Sequence, residues 1–256
     1  MFYVAERVHR YFRANSARAV CRKPIAIQAD SPLISFTFDD FPRSAWLTGG
    51  DILKSLGVAG TYYAALGLMG EDSPSGQIFL QEDLAKILDD GHELGSHTYS
   101  HCDSWNTVPR VFEQSVLENQ KALASLMGGT KFKTFSYPFC APRPATKKRI
   151  ARHFLCCRGL QATSNSGIAD LNQLSAFFLE RAEDGMRTIK DLIDKNKQER
   201  GWIIFATHDV DSRPSRYGCS PEFFGDAVAY AVQSGARVLP VVKALEAIQQ
   251  AGASDA

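Results

Sequence analysis

The chain has 256 residues, a formal net charge of +1 and an apolar fraction of 45%. That length and apolar content fit one large soluble domain with a substantial core. A near-neutral charge gives no general attraction to nucleic acid, and no stretch is long and apolar enough to span a bilayer.

Residues 1–30 form a basic segment, and over its first 23 residues Arg7, Arg10, Arg13, Arg18, Arg22 and Lys23 outnumber the single acid Glu6. Phe2, Tyr3, Val8, Tyr11 and Phe12 can share one face of a helix, which suits peripheral contact with an anionic membrane. The same pattern suits a helix packed on the domain with its arginines in solvent. The segment lacks the uninterrupted apolar run of a signal peptide, so the expected location is cytoplasmic, with the inner membrane face as an option. Six cysteines, none in a C-x-x-C pair, read as free thiols.

From residue 31 to 250, apolar strand-like runs alternate with helical ones. "LISFTFDD" is a strand, and "AWLTGGDILKSLG" a helix ended by Gly57. "GTYYAALG" and "HELGSH" flank the amphipathic "LQEDLAKILDDG". After a long helix from Val108 to Met127 come "FKTFSYPF", a helix near Ala145–His153 and "FLCCRGLQ". The remainder reads as "AFFLER", a helix near Met186–Lys197, "GWIIFATHD", a helix near Pro221–Ser234, "ARVLPVV" and a closing helix from Lys243. Continuous apolar strands separated by helices predict a parallel sheet, and about seven such units fit a (β/α) barrel in one domain. The polar clusters at residues 39–40, 96–97, 136–139 and 207–209 then fall at strand C-termini, where a barrel builds its active site. The loop-like stretch from Leu160 to Ala176 can overhang that mouth.

Asp39 and Asp40 end an apolar strand, where neither helps a core. In extended backbone their side chains point apart, so one can bind a metal while the other acts as a base; two turn-forming acids before Pro42 are the structural alternative. His97 and His101 are spaced to reach one ion, whereas His92 sits too early. With Asp40 they make three ligands and leave coordination positions open, the catalytic arrangement for zinc, with cobalt, nickel or iron as alternatives. His208, after another apolar strand, has the pKa range of a proton donor.

In this order, "TFDD", "SHTYSH", "SYPF" and "FATHD" resemble the motifs of the polysaccharide deacetylases, the NodB-like carbohydrate esterases. The likeness runs from about Leu33 to Val242. It implies a distorted (β/α) barrel and hydrolysis of an N-acyl group on an amino sugar by metal-activated water. By position, Asp39 becomes the base, Asp40, His97 and His101 the metal ligands, and His208 the acid. The N–H of Phe139, after Pro138, becomes the oxyanion donor. Phe205 is a candidate for the acyl-methyl pocket or for plain core. Three positions depart from the family pattern: Ser136 stands where an arginine often supports the base, and Phe41 and Cys140 replace usual glycines. Arg181 is the first candidate to substitute for the missing arginine and Arg158 the second. Cys140 is either reactive or packed.

The resemblance makes the expected substrate a nucleotide-linked, lipid-linked or oligosaccharide amino sugar in O-antigen or exopolysaccharide synthesis. Deformylation or hydrolysis of another amide is one alternative. A non-catalytic metal- or glycan-binding relative is the other, with Ser136 as its support.

Overall fold

The computed structural model describes residues 12–13, 15–27, 29–159 and 164–254. Seven parallel strands form its frame: β1 (Leu33–Asp39), β2 (Thr61–Ala64), β3 (Glu93–Ser96), β4 (Thr134–Ser136), β5 (Cys156–Arg158), β6 (Phe177–Phe178) and β7 (Trp202–Thr207). Their order is β6-β7-β1-β2-β3-β4-β5. A two-residue strand, β8 (Arg237–Val238), pairs with the start of β1. All seven residues of β1 are buried, as both faces of a parallel sheet require.

The sheet is curled and half open, because β5 and β6 do not pair with each other. The segment before β6 runs along β5 instead: Leu174 N–H donates to Cys157 O at 2.8 Å, and Gly159 N–H to Leu174 O at 2.9 Å. Helices α1 (Asp51–Ser55, continuing a π-helical stretch Ala45–Gly50), α2 (Gln81–Asp89), α3 (Pro109–Leu126), α4 (Pro144–Ile150), α5 (Met186–Glu199), α6 (Pro221–Gln233) and α7 (Val241–Ser254) complete the domain. Gly57 and Gly91 follow two of them with φ of +70° and +81°, conformations in which glycine meets no Cβ penalty.

Alternation along the strands sorts the side chains. Ile34, Phe36, Phe38, Tyr62, Leu94, Phe135, Cys157, Phe177 and Phe205 join one large core. Leu33, Cys156, Phe178, Trp202, Ile204 and Ala206 pack in a second, with residues of α7. The second set shares its parity with Asp39, Arg158 and His208, the polar residues at or just beyond the strand ends. Glu93, at the start of β3, is buried and accepts from Thr61 Oγ1 (2.9 Å), Thr134 Oγ1 (2.5 Å) and the backbone N–H of Val242 (2.8 Å). It ties three strands to the first turn of α7, where a carboxylate is favoured by the helix dipole.

Of the basic N-terminal segment, residues 1–11 lie outside the described residues. Arg13 pairs with Asp103 at 2.9 Å and lies over the Trp105 ring at 5.2 Å. The buried ammonium of Lys147 donates to Ala17 O (2.8 Å) and Asp170 (2.6 Å), fastening the following stretch to α4. No helix among the described residues is long and apolar enough to cross a membrane.

Candidate active site

The strand ends meet in a cavity of about 340 Å³. Asp39 and Asp40 enter it from β1, His97 and His101 from the connection after β3, and Phe139 and Cys140 from that after β4. Phe178, Glu180 and Arg181 come from β6 and the turn beyond it, and His208 and Tyr217 from the connection after β7. A second cavity of similar size, lined by Arg18, Arg22 and Asp170 among others, contains none of the motif residues.

The two aspartates diverge, though not by simple alternation in extended backbone. Asp39 ends β1 in the inward register, while Asp40 steps into left-handed backbone at φ +56°, followed by Phe41 at +22°. This step turns Asp40 toward the histidines, with Oδ1 at 3.4 Å from His101 Nε2 and 3.7 Å from His97 Nε2.

His97 Nδ1 lies 2.8 Å from the carbonyl of Ser136. A carbonyl only accepts, so Nδ1 carries the proton and Nε2 presents its lone pair to Asp40. Burial pushes the His97 pKa down to about 3 and lowers that of His101 as well, which keeps both imidazoles neutral. Burial raises the Asp40 pKa to about 7, with His208 opposing and Asp39 adding to the rise. Asp40 Oδ1 is buried without a hydrogen-bond partner among the described residues.

One ligand atom from each of Asp40, His97 and His101 lies within 4.8 Å of the other two. Tetrahedral ligands about 2.0–2.2 Å from a zinc-sized ion stand roughly 3.4 Å apart. The orphaned carboxylate oxygen, the two neutral nitrogens and their spacing therefore fit a divalent metal. His92 takes no part, since its Nδ1 accepts from the Gly60 N–H at 2.9 Å.

Arg158 and Ser136 account for the missing arginine. The Arg158 guanidinium donates to Asp39 Oδ1 and, at 2.9 Å, to Ser136 Oγ. It is held between the rings of Tyr63 (5.0 Å) and Phe178 (5.6 Å). Burial alone would raise the Asp39 pKa, but Arg158, His97 and His208 outweigh it and bring the value to about 2. The expectation that ranked Arg181 above Arg158 is thereby corrected. Arg158 shares the inward parity of Cys156, whereas Arg181 lies beyond β6 on the cavity wall. Strand parity in "CCR" was the available signal.

Phe205 also needs correction as a candidate for the acyl pocket. It pairs in register with Phe36, stacks on that ring at 5.4 Å and belongs to the main core. Phe178 lines the cavity instead, 5.9 Å from the His208 ring. Pro138 precedes the cavity-lining Phe139, whose φ is +55° and whose ring meets His101 at 4.8 Å. Burial pushes the Cys140 thiol up to about 12, so it stands as a protonated, packed thiol rather than a nucleophile.

His208 lies between Phe178 and Tyr217, with ring centroids 5.9 and 5.3 Å away. Its Nδ1 is buried without a partner among the described residues. The neighbouring Asp209, missed as a functional element in the sequence, is buried and accepts from Ser215 N–H (2.7 Å) and Ser215 Oγ (2.5 Å). Gly218 is pressed so close that a Cβ there would fall 2.3 Å from the Asp209 carboxyl carbon. These contacts fix the loop that carries Tyr217.

A family model for polysaccharide deacetylase matches residues 26–154, half of the chain and all of the metal triad. The chain belongs to the polysaccharide deacetylase family. Among solved structures of this fold, a family 4 acetyl xylan esterase from Clostridium thermocellum, in complex with a cobalt ion, is 20% identical. The match covers 84% of this chain and 90% of that one at a TM-score of 0.59. The peptidoglycan deacetylase PdaC from Bacillus subtilis is 17% identical over 88% of this chain and 96% of its own, also at 0.59. The Xyl-CE4 domain of a xylanase from the hindgut metagenome of Trinervitermes trinervoides is 19% identical over 85% and 91%, at 0.57. A gellan lyase from Bacillus sp is 25% identical in an alignment 141 residues long that covers 48% of this chain and only 6% of that protein. The residues matched by the family model include Asp40, His97 and His101, so this domain has the metal-ligand set of a carbohydrate deacetylase.

Proposed function

We propose that the protein removes an N-acetyl group from an amino sugar carried on a nucleotide, a lipid or a short oligosaccharide, in O-antigen or exopolysaccharide assembly at the cytoplasmic face of the membrane. The carrying observation is the division of labour between adjacent aspartates. Asp39 is held ionised by Arg158, while Asp40 faces two neutral imidazoles. The exposed Arg181 on the cavity wall, not engaged with Asp39, supports a phosphate-bearing carrier, since guanidinium groups match phosphate geometry. Contact with the membrane would fall to the basic segment 1–30.

Asp40, His97 and His101 would hold a divalent ion, zinc being the first choice for two imidazoles and a carboxylate, and the ion would supply Lewis-acid polarisation of the acyl carbonyl and a lowered pKa for water. Asp39, kept anionic, accepts the proton of the attacking water. The Phe139 backbone N–H meets the oxyanion at the cavity edge. His208, across the cavity, gives its proton to the nitrogen as the C–N bond breaks, releasing acetate and a free amine. Phe178 and Tyr217 limit water around that histidine.

The non-catalytic reading rested on Ser136. That residue now serves as an acceptor for the arginine that supports Asp39, which favours catalysis. Acetate and formate release should be measured across UDP-linked and polyprenyl-linked N-acyl amino sugars, with and without added zinc. Zinc-dependent acetate release is expected. Formate release instead would move the reading to a deformylase, and no release of either acid would overturn it.

A further inference from the structure

Two loops flanking β1 meet over its end. β1 lies between β7 and β2, and its own link to the helical stretch at Ala45 is short. The longer connections after β2 and β7 therefore face each other across it. The first carries the two-stranded turn Asp72–Ser73 and Gly76–Gln77, whose tip, Ser73 to Ser75, lines the cavity. The second carries Ser215 and Tyr217. Ser75 Oγ and Ser215 Oγ lie 3.2 Å apart, within hydrogen-bonding distance.

Both sides of this contact are braced. Ser73 Oγ donates to Gly76 O (2.8 Å) and accepts from Ser75 N–H (3.1 Å), and the base of the turn is anchored by the Pro42–Ile78 bridge. On the other side, Ser215 is bound through both its N–H and its hydroxyl to the buried carboxylate of Asp209. The wall over β1 is thus a joined structure. The opposite side differs, since β5 and β6 do not pair and the cavity is flanked there by Cys140 and by Glu180 and Arg181. A volume of about 340 Å³ lies at the low end of the 300–1,000 Å³ usual for ligand sites.

A polymer threaded through a cleft needs an exit on both sides. We infer that this cleft is a pocket entered end-on, taking an acylated sugar at the terminus of a chain or carrier and excluding units within a polymer, with the Ser75–Ser215 contact as the stop. This rests on the deacetylase reading and narrows its substrate class to terminal units. Ser75 and Ser215 are positioning residues for specificity and take no part in bond breaking.

The test uses the metal-loaded full chain and ladders of N-acetyl- and N-formyl-glucosamine from monomer to pentamer, with mass spectrometry locating each lost acyl group. Loss from one terminal unit only is expected, with turnover that does not climb as the ladder lengthens. Ser215→Gly removes the hydroxyl that joins Ser75 and Asp209 and should allow loss from inner units. Ser75→Gly should do the same without touching the Asp209 anchor, which guards against misfolding of the first variant. Inner-unit loss by the unaltered protein, or terminal-only loss by both folded variants, overturns the inference and leaves the deacetylase reading standing. No acyl release from any member of either ladder, by protein shown to hold metal, counts against that reading and removes the inference with it.

Discussion

The guanidinium of Arg158 and the carboxylate of Asp39, 119 residues apart in the chain, form a buried ion pair beneath the metal triad. Asp39 is thus both ionised and immobile. Breaking a buried pair by removing one partner costs about 3–5 kcal/mol, because the other charge is left stranded. Arg158→Met should therefore lower unfolding free energy by about that amount and abolish turnover. Arg158→Lys should recover part of both. Chemical denaturation and acyl-release rates check this, and an Arg158→Met protein of unaltered stability would contradict it.

Asp39→Asn and His97→Ala should separate chemistry from metal binding. The first is expected to retain the metal and lose about 10²–10⁴ in rate, the span typical of a general base. The second should lose both. Elemental analysis beside acyl-release rates distinguishes them, and full turnover in Asp39→Asn would show that another group is the base.

Metal should also appear as stability. A ligand that binds only the folded state adds about 2.7 kcal/mol at a hundredfold excess over its Kd. Thermal unfolding of chelator-treated protein should shift upward on adding zinc and return with chelator. His97→Ala should show no such shift.

His92 gives the protein an acid-sensitive element away from the triad. Burial lowers its pKa to about 4 from an ordinary 6.5. Between those values the unfolded chain binds more protons than the folded one, so stability rises with pH and is lost as pH falls from 6.5 toward 4. Replacement by Gln, whose side-chain oxygen can accept from Gly60 without titrating, should flatten that slope. Denaturation midpoints across this range give the measurement, and a slope unchanged in His92→Gln would refute the assignment.

Phe41 and Cys140, at positions where the family usually has glycine, adopt φ of +22° and +74°. Left-handed backbone costs a residue with a Cβ about 1–2 kcal/mol, part of which glycine returns as unfolded-state entropy. Cys140→Gly should thus gain up to about 1 kcal/mol. Phe41→Gly should lose about 3–5 kcal/mol, because Phe41 is fully buried and stacks on Phe79 at 4.1 Å. Paired denaturation curves with opposite signs are expected.

Much of this molecule was legible in its sequence because two simple periods govern it. Buried parallel strands read as apolar runs, and the polar interruptions at "DD", "SH" and "THD" marked their C-terminal ends. Asp40, His97 and His101 could be grouped because each has metal-ligand chemistry and sits at such an end. Arg158 was ranked too low because it is a tertiary partner, reaching Asp39 through the curl of the sheet rather than through any local motif. Phe205 illustrates the opposite failure: its apolar position in "FATHD" suggested the pocket or plain core, and a one-residue difference in parity put it in the core. Asp209 stood out only as part of "THD" and its role was not legible, since its partner Ser215 is recognisable only once the loop is closed. The left-handed step at Asp40 was likewise hidden, for "DDF" contains no glycine to announce it.

That step is one of a group. Of the eight described non-glycine residues with positive φ, six (Asp40, Phe41, Thr98, His101, Phe139 and Cys140) surround the triad or the cavity edge. Conformational tension in this protein is therefore gathered at the mouth and largely absent from the scaffold. Screens for heat-resistant variants should recover relaxing substitutions there first, and these are the ones most apt to slacken the grip on the metal. Improvements sought on the helices, far from the mouth, should leave the chemistry intact.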